Sequence, residues 1–114
     1  MLGSCGGGRD KWKRPEFGKI ANEFCDQIFL TNEDPYDEDE NVIVEDIRKG
    51  INKTENVRIV IDRKNAIRQA IQFAEPGDVV IITGKGSEIT MALKDGKKIA
   101  WSDKDIAREA LNNK

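Results

Sequence analysis

Histidine is absent from this 114-residue chain, and cysteine occurs only twice, at Cys5 and Cys25. Without histidine the chain cannot build a histidine-based catalytic triad or most kinds of zinc site. Two cysteines are too few for the disulfide framework of a small secreted domain. The sequence therefore predicts neither a metal centre nor a disulfide-stabilised fold.

Long apolar runs are also missing from the sequence. No stretch approaches the roughly 20 apolar residues that a membrane-spanning helix needs, and the first residues lack the basic-then-apolar pattern of a secretory signal. The formal net charge is −2, so the chain as a whole has no electrostatic attraction to nucleic acid. We therefore expect a cytoplasmic protein that binds neither membrane nor nucleic acid.

The length and composition suit one modest hydrophobic core. Domains typically contain about 100–150 residues, and 38% of this chain is hydrophobic while 35% is charged. Residues 1–114 are accordingly predicted to form a single domain.

Apolar residues recur at helical spacing in four stretches. The first begins at Pro15, which suits the first position of a helix because its missing N–H is not needed there, and its apolar positions are Phe17, Ile20, Ala21 and Phe24. The second runs from about Ile43 to Gly50. The third follows Asp62, a predicted cap residue, and has the apolar stripe Ala66, Ile67, Ala70, Ile71 and Ala74. The last follows Ser102, which resembles the start of a capping box with Asp105.

Short strands are predicted between these helices. Ile28–Leu30 and Val57–Ile61 are candidates, and Val79–Ile82 is apolar at every position, as in a parallel strand covered on both faces. Asp95-Gly96 lies between two further strand-like stretches and is a strong hairpin signal. Alternation of strands and helices predicts an α/β fold, with a Rossmann-like, mainly parallel sheet flanked by helices and a C-terminal β-hairpin edge.

The chain start departs from this pattern. A glycine loop that opens a helix normally follows a strand, yet only Met1–Cys5 precede this one. The first strand is therefore predicted to be truncated, and we expect the chain to begin inside a longer protein.

The first glycine loop (residues 6–15) combines glycines, a helix start and the four cations Arg9, Lys11, Lys13 and Arg14. Backbone N–H groups, the helix dipole and guanidinium groups together suit a phosphate or a carboxylate. The alternative is a solvated basic turn. The loop matches neither the dinucleotide-binding fingerprint nor the Walker A pattern.

Two other loops follow predicted strands. The second glycine loop (residues 84–88) comes directly after Val79–Ile82, and the acidic loop (residues 32–40) comes after Ile28–Leu30. Ligands bind beyond the carboxyl ends of strands in open α/β sheets, which makes both loops candidates for a site. The alternatives are an ordinary turn, in which glycine only serves a positive φ, and a solvent-facing loop.

Taken in order, these loops resemble the C-terminal domain of the Mur ligases, most closely the branch that adds the third amino acid to UDP-N-acetylmuramoyl-L-alanyl-D-glutamate. Four segments carry the resemblance: residues 7–15, similar to G-G-x-R-D-x-x-K-R-P; Thr31–Tyr36, at the D-N-P-R position; Asp62-Arg63 with Ala66-Ile67; and residues 84–88, similar to G-K-G-H-E. Tyr36 and Ser87 depart from the motifs, standing at the positions of an arginine and a histidine.

The resemblance implies a site for an amino acid. Arg9 and the backbone at Gly84 would face its carboxylate, and Glu88 would face its ammonium group. The selectivity loop would consist of Glu33, Asp34, Pro35 and Tyr36. Five cations would lie near phosphate or nucleotide: Lys11, Lys13, Arg14, Arg63 and Lys85. No catalytic and no metal-binding residue is assigned.

Tyr36 bears on which amino acid is added. Family members that use meso-diaminopimelate offer an arginine at this position to the distal carboxylate, and a neutral phenol cannot replace a bidentate guanidinium contact. Lysine or another diamino acid is therefore the expected substrate, with the acidic loop suiting a distal ammonium group.

The family uses ATP, with Mg²⁺, to convert a carboxylate into an acyl phosphate, which the amino acid attacks to form an amide in peptidoglycan precursor synthesis. Its P-loop and its UDP-sugar site lie in upstream domains, which would be partners of this chain together with the UDP-MurNAc-dipeptide. No G-x-x-x-x-G-K-[ST] occurs here, so we expect the chain alone to bind no cofactor firmly and to be inactive.

There are two alternatives, one from another class of protein and one from within the family. One is a stand-alone, non-catalytic module that binds a small ligand, and an upstream reading frame encoding the P-loop and UDP-sugar domains would argue against it. The other is the corresponding domain of a related folate or poly-amino-acid ligase. The match to G-G-x-R-D-x-x-K-R-P argues against that second alternative.

Overall fold

The computed structural model describes residues 1–8 and 10–114. The four predicted helices are present: α1 Lys13–Phe24, α2 Glu40–Arg48, α3 Arg63–Phe73 and α4 Asp103–Asn112. The strands are short: β1 Ile28–Leu30, β2 Val57–Ile59, β3 Thr90–Ala92 and β4 Lys98–Ala100. Two short 3₁₀ helices, Thr54–Asn56 and Lys94–Gly96, complete the order of elements.

The strands form a parallel pair and an antiparallel hairpin. β1 pairs with β2 in parallel, with Leu30 opposite Ile59. β3 pairs antiparallel with β4 across the predicted turn, where Asp95 and Gly96 have φ values of 62° and 69°. Positive φ at both central residues is the conformation that an Asp-Gly hairpin turn favours. The predicted α/β class, with a parallel sheet and a C-terminal hairpin, is confirmed.

Met1 and Leu2 lie where the truncated first strand was predicted. Leu2 forms a parallel bridge with Leu30 of β1. On its other side, the Met1 ammonium group donates to the Ile81 carbonyl oxygen at 2.8 Å, and the Thr83 N–H donates to the Met1 carbonyl oxygen at 3.2 Å. Residues 1–2 thus link β1 to the segment that leads into the second glycine loop.

The prediction that Val79–Ile82 is a strand covered on both faces is wrong. The segment does not form a regular strand, and Val79 and Ile81 are 82% and 62% exposed. Successive side chains of an extended segment point to opposite sides. Val80 and Ile82 pack against a cluster around Ile67, whereas the opposite side has no comparable cover. Apolar residues at every position therefore did not indicate burial on both faces.

The predicted helix starts are only partly correct. α1 begins two residues before Pro15, so that proline occupies the third helical position, where its N–H would still have no partner within the helix. Asp62 precedes α3 as predicted, but its side chain makes no capping hydrogen bond. The Ser102 side chain does accept from the Asp105 N–H and caps α4.

The buried side of α1 differs from its predicted apolar face. Ile20 and Phe24 are 57% and 76% exposed. The buried residues of α1 are Arg14, Gly18 and Ala21, and this face packs against α2, whose Ile43, Val44 and Ile47 reach the core as predicted. No helix in the part of the chain that the structure describes is long and apolar enough to cross a membrane.

Candidate functional site

The acidic loop is the surface on which the two glycine loops meet. The Gly6 N–H donates to the Asp34 carbonyl oxygen at 3.0 Å, and the Lys85 ammonium group donates to both Asp34 carboxylate oxygens at 2.8 and 2.9 Å. A side chain at Gly6 would collide with the Pro35 carbonyl oxygen, so the first loop can approach this closely only as glycine. Loops distant in sequence therefore share one rim.

Lys85 and two carboxylates form the centre of this rim. The Lys85 side chain is 1% exposed, and its ammonium nitrogen lies 2.6 Å from a Glu88 carboxylate oxygen in addition to the Asp34 contacts. Burial by itself would lower the pKa of Lys85, but its hydrogen bonds to Asp34 and Glu88 outweigh that effect and raise the pKa above its ordinary value. Lys85 therefore stays charged at this rim.

Glu33 lies behind the second glycine loop. The residue is 8% exposed, and a side chain at Gly84, where φ is +106°, would collide with its carboxylate. Burial raises the pKa of Glu33, and the nearby Arg63 guanidinium only partly offsets that effect. The carboxyl group of Glu33 is consequently easier to protonate than an exposed glutamate.

Glu38 holds the first glycine loop to the start of α1. Its carboxylate accepts from the Gly8 N–H at 3.2 Å and from the two terminal nitrogens of Arg14 at 2.7 and 2.9 Å. The fully buried Arg14 also donates to Asp46 of α2 and to the Cys5 carbonyl oxygen. The hydrogen bond from Arg14 is the main cause that lowers the pKa of Glu38 from 4.5 to about 2.

The Glu38 contact makes stability pH-dependent in a defined range. Because the pKa of Glu38 is depressed in the folded state, its contribution is fully present above pH 4.5 and is lost as the pH falls from 4.5 to about 2. We expect Glu38→Gln to flatten this part of the acid unfolding profile, measured by circular dichroism in urea. Glu45→Gln, at a half-exposed position on α2, should keep the wild-type slope. A Glu38→Gln profile as steep as the wild-type one would contradict this prediction.

Arg63 joins the ends of three chain segments. Its guanidinium donates to Asp103 of α4 at 2.9 and 2.7 Å, to the Asn32 carbonyl oxygen at 3.0 Å and to the Thr83 carbonyl oxygen at 2.8 Å. The Trp101 indole N–H donates to the same Asp103 carboxylate at 2.7 Å. Arg63 is 1% exposed, so it fixes where the acidic loop and the second glycine loop begin.

The accessible side chains at the rim are fewer than the sequence suggested. The Glu88 side chain is 58% exposed, and Tyr36 is 39% exposed with its ring against Gly7. Lys11 is exposed. Lys13 is half-buried, and its ammonium nitrogen lies 3.4 Å from an Asp10 carboxylate oxygen. Arg9, the residue predicted to face a carboxylate, lies outside the described residues.

The five cations predicted to lie near phosphate divide into two groups. Arg14, Arg63 and Lys85 are buried and bonded to protein oxygens, whereas only Lys11 and Lys13 extend from the first glycine loop with partly accessible side chains. Their proximity to a nucleotide stays a prediction. Four of the five already have protein partners, since Lys13 also contacts Asp10.

Most carboxylates of the acidic loop also have partners within the protein. Asp34 binds Lys85, Asp37 accepts from the Asp95 N–H, Glu38 binds Arg14, and Asp39 caps α2 through the Asn41 N–H. The suitability of this loop for a distal ammonium group stays a prediction. These contacts use that negative charge to hold neighbouring elements.

Sequence reasoning missed Asp46 and Asp103, and it did not distinguish Glu38 from its acidic neighbours. Asp46 and Glu38 bind the buried Arg14, which lies 32 and 24 residues away in the sequence. Asp103 binds the buried Arg63, which lies 40 residues away. One weak signal was available, since an arginine on the buried face of a predicted helix needs a carboxylate nearby. The sequence did not indicate which carboxylate that would be.

The fold and the rim define a class of protein. The three loops that follow residues 1–2, β1 and residues 79–83 converge at the carboxyl ends of parallel segments, where open α/β domains bind small ligands. The family profile described as "Mur ligase, glutamate ligase domain" matches residues 1–86. The chain belongs to the Mur ligase family, as its motifs predicted.

Individual relatives identify the branch. The chain is 46% identical over 110 residues to the UDP-N-acetylmuramoyl-L-alanyl-D-glutamate–2,6-diaminopimelate ligase of Prochlorococcus marinus subsp. pastoris. The aligned residues cover 96% of this chain and 21% of that protein. It is 44% identical over 106 residues to the ligase of the same name from Aquifex aeolicus, covering 93% and 22%. A solved structure of such a ligase superposes with a TM-score of 0.88 at 32% identity, covering 98% of this chain and 23% of that one. The chain thus spans about a fifth of the length of these relatives.

Proposed function

We propose that residues 1–114 act as the C-terminal, amino-acid-binding domain of an ATP-dependent ligase. The ligase adds a diamino acid as the third residue to UDP-N-acetylmuramoyl-L-alanyl-D-glutamate in cytoplasmic peptidoglycan precursor synthesis. The observation that carries this proposal is the meeting of both glycine loops on the acidic loop, with Glu88 exposed at the rim. The relatives, named for the same reaction on 2,6-diaminopimelate, support it.

The residues of the rim have distinct tasks in this proposal. Glu88 accepts hydrogen bonds from the ammonium group of the incoming amino acid, Arg9 and the backbone at Gly84 bind its carboxylate, and the loop Glu33–Tyr36 forms the wall of the site near its distal end. Holding the amino group in place converts a bimolecular attack into an intramolecular one. ATP and Mg²⁺ act in the longer ligase, where the accessible side chains of Lys11 and Lys13 would lie near a phosphate.

Calorimetric titration of the chain tests the proposal. We expect at least one of meso-diaminopimelate, L-lysine and L-ornithine to bind, and L-norleucine, which lacks a second amino group, to bind more weakly. The names of the relatives favour diaminopimelate, whereas Tyr36 in place of an arginine favours a substrate without a distal carboxylate. The ranking of the three ligands decides between these readings.

Substitution of Glu88 provides the second part of this test. Glu88→Gln replaces a charged acceptor with a neutral one, and loss of a hydrogen bond to a charged group weakens binding by about tenfold or more. Arg9→Ala should have a similar effect through the carboxylate. The matched control is Ser87→Ala, at the exposed neighbouring position, which should keep the affinity within about twofold of wild type. Unchanged affinity in both Glu88→Gln and Arg9→Ala would show that the site is assigned wrongly.

A further inference from the structure

Asp34 contacts three separate elements of the rim. Its backbone carbonyl accepts from Gly6 of the first glycine loop, and its carboxylate accepts from Lys85 of the second. One carboxylate oxygen also accepts from the Ala92 N–H of β3 at 2.8 Å. Asp34 has φ +40°, which is uncommon for a residue other than glycine. The three contacts just described hold the backbone in this conformation.

Lys85 has no donor left for a ligand in this arrangement. A lysine ammonium group has three donors, and the two contacts to Asp34 and the one to Glu88 account for all of them. A ligand ammonium group that took over Asp34 would leave Lys85 buried without its main partner, which is strongly unfavourable. Asp34 is therefore poorly suited to bind the ligand directly.

We propose that Asp34 is a positioning residue: through Lys85 and Ala92 it fixes the second glycine loop and the hairpin against the first glycine loop, without contacting the amino acid. This inference rests on the proposed function, because it concerns the same rim. Lys85 then acts as an internal counter-ion that holds Glu88 by its single 2.6 Å contact. Discrimination at the distal end of the amino acid falls to other residues of the wall.

Amide hydrogen exchange tests the positioning role without any ligand. Asp34→Asn keeps the shape of the side chain and an acceptor for Ala92, but it removes the charge that pairs with Lys85. We expect exchange at Gly6 and Glu88 to accelerate by about tenfold or more, as for loss of a charged hydrogen bond. Exchange at Ile47, in the core between α1 and α2, should stay at the wild-type rate. Acceleration everywhere would indicate general destabilisation and would overturn the proposal.

Two variants give matched comparisons. Asp37→Asn removes a carboxylate of the same loop that accepts from the Asp95 N–H of the hairpin turn, and it should leave exchange at Gly6 and Glu88 within about twofold of wild type. Lys85→Met, alone and combined with Asp34→Asn, removes the ammonium group that links Asp34 to Glu88. If Asp34 acts through Lys85, exchange at Glu88 in the double variant should stay within about twofold of the faster single variant. Additive acceleration in the double variant would contradict coupling through Lys85.

Ligand titration separates the two proposals. If Asp34 positions the rim through Lys85, Asp34→Asn weakens binding of the best of the three diamino acids, and adding Lys85→Met increases that loss by less than the effect of Lys85→Met alone. Weakened binding with exchange at Gly6 and Glu88 unchanged would show that Asp34 contacts the ligand, which overturns the inference. Failure of the wild-type chain to bind any of the diamino acids would contradict the proposed function alone, since the exchange data decide the role of Asp34 independently.

Discussion

Arg63→Met is expected to lower the free energy of unfolding by about 3–5 kcal/mol, the usual range when one partner of a buried ion pair is removed and the other stays. Arg63 is 1% exposed, and its guanidinium binds the Asp103 carboxylate and two backbone carbonyl oxygens, at Asn32 and Thr83. Methionine fills much of the volume but leaves Asp103, which is 6% exposed, without its counter-charge. Urea unfolding at pH 7, followed by circular dichroism, measures the difference.

An exposed arginine on the same helix provides the control. Arg68 contacts Glu109 at 3.4 Å with a 40% exposed side chain, so Arg68→Met should cost less than about 1 kcal/mol. Combining Arg63→Met with Asp103→Asn removes both charges, and the double variant should lose less than the sum of the single variants. A loss at Arg63→Met no larger than at Arg68→Met would show that the buried network does not stabilise the fold.

Gly18→Ala is expected to destabilise the domain by about 3 kcal/mol, the upper part of the usual range for overpacking. Gly18 lies in α1 where a Cβ would collide with the Ile47 carbonyl oxygen at the end of α2. Helix propensity alone would favour alanine over glycine by about 1 kcal/mol. The steric effect opposes that preference and is larger, because a backbone carbonyl cannot move aside without separating α1 from α2.

The exposed neighbouring position is the control for a substitution on α1. Lys19 is exposed on the same helix, where its ammonium group lies 3.0 Å from a Glu16 carboxylate oxygen, so Lys19→Ala should change the free energy of unfolding by no more than about 0.5 kcal/mol. Both variants are compared by urea unfolding under identical conditions. If Gly18→Ala were as stable as wild type or more stable, the close contact between α1 and α2 would not be a constraint on this fold.

Local patterns predicted the helices well because helix periodicity is a property of neighbouring residues. The stripe of Ala66, Ile67, Ala70 and Ile71 in α3 is buried as expected. The same reasoning failed for α1, where Arg14 is buried and Phe24 is exposed. Hydrophobicity alone does not show that a carboxylate pair from elsewhere in the chain can compensate a buried guanidinium.

The rim was predicted at the level of loops and only partly at the level of side chains. Glycine motifs and a family resemblance identified which three loops belong together, because those signals are contiguous in sequence. The partner of each charge was not predictable in this way. Lys85 binds Asp34 across 51 positions and Arg63 binds Asp103 across 40, and any of several acidic residues could have met each cation.

The amino-acid sequence by itself determined the α/β class, the four helices, the hairpin turn and membership of the Mur ligase family, since each depends on short patterns of residues. Only the tertiary structure decided that Arg14, Arg63 and Lys85 are buried among protein oxygens and that the acidic loop holds its neighbours together. The physical reason is that a buried charge is stable only beside an opposite charge or a polar partner. Which groups become neighbours is set when distant segments pack.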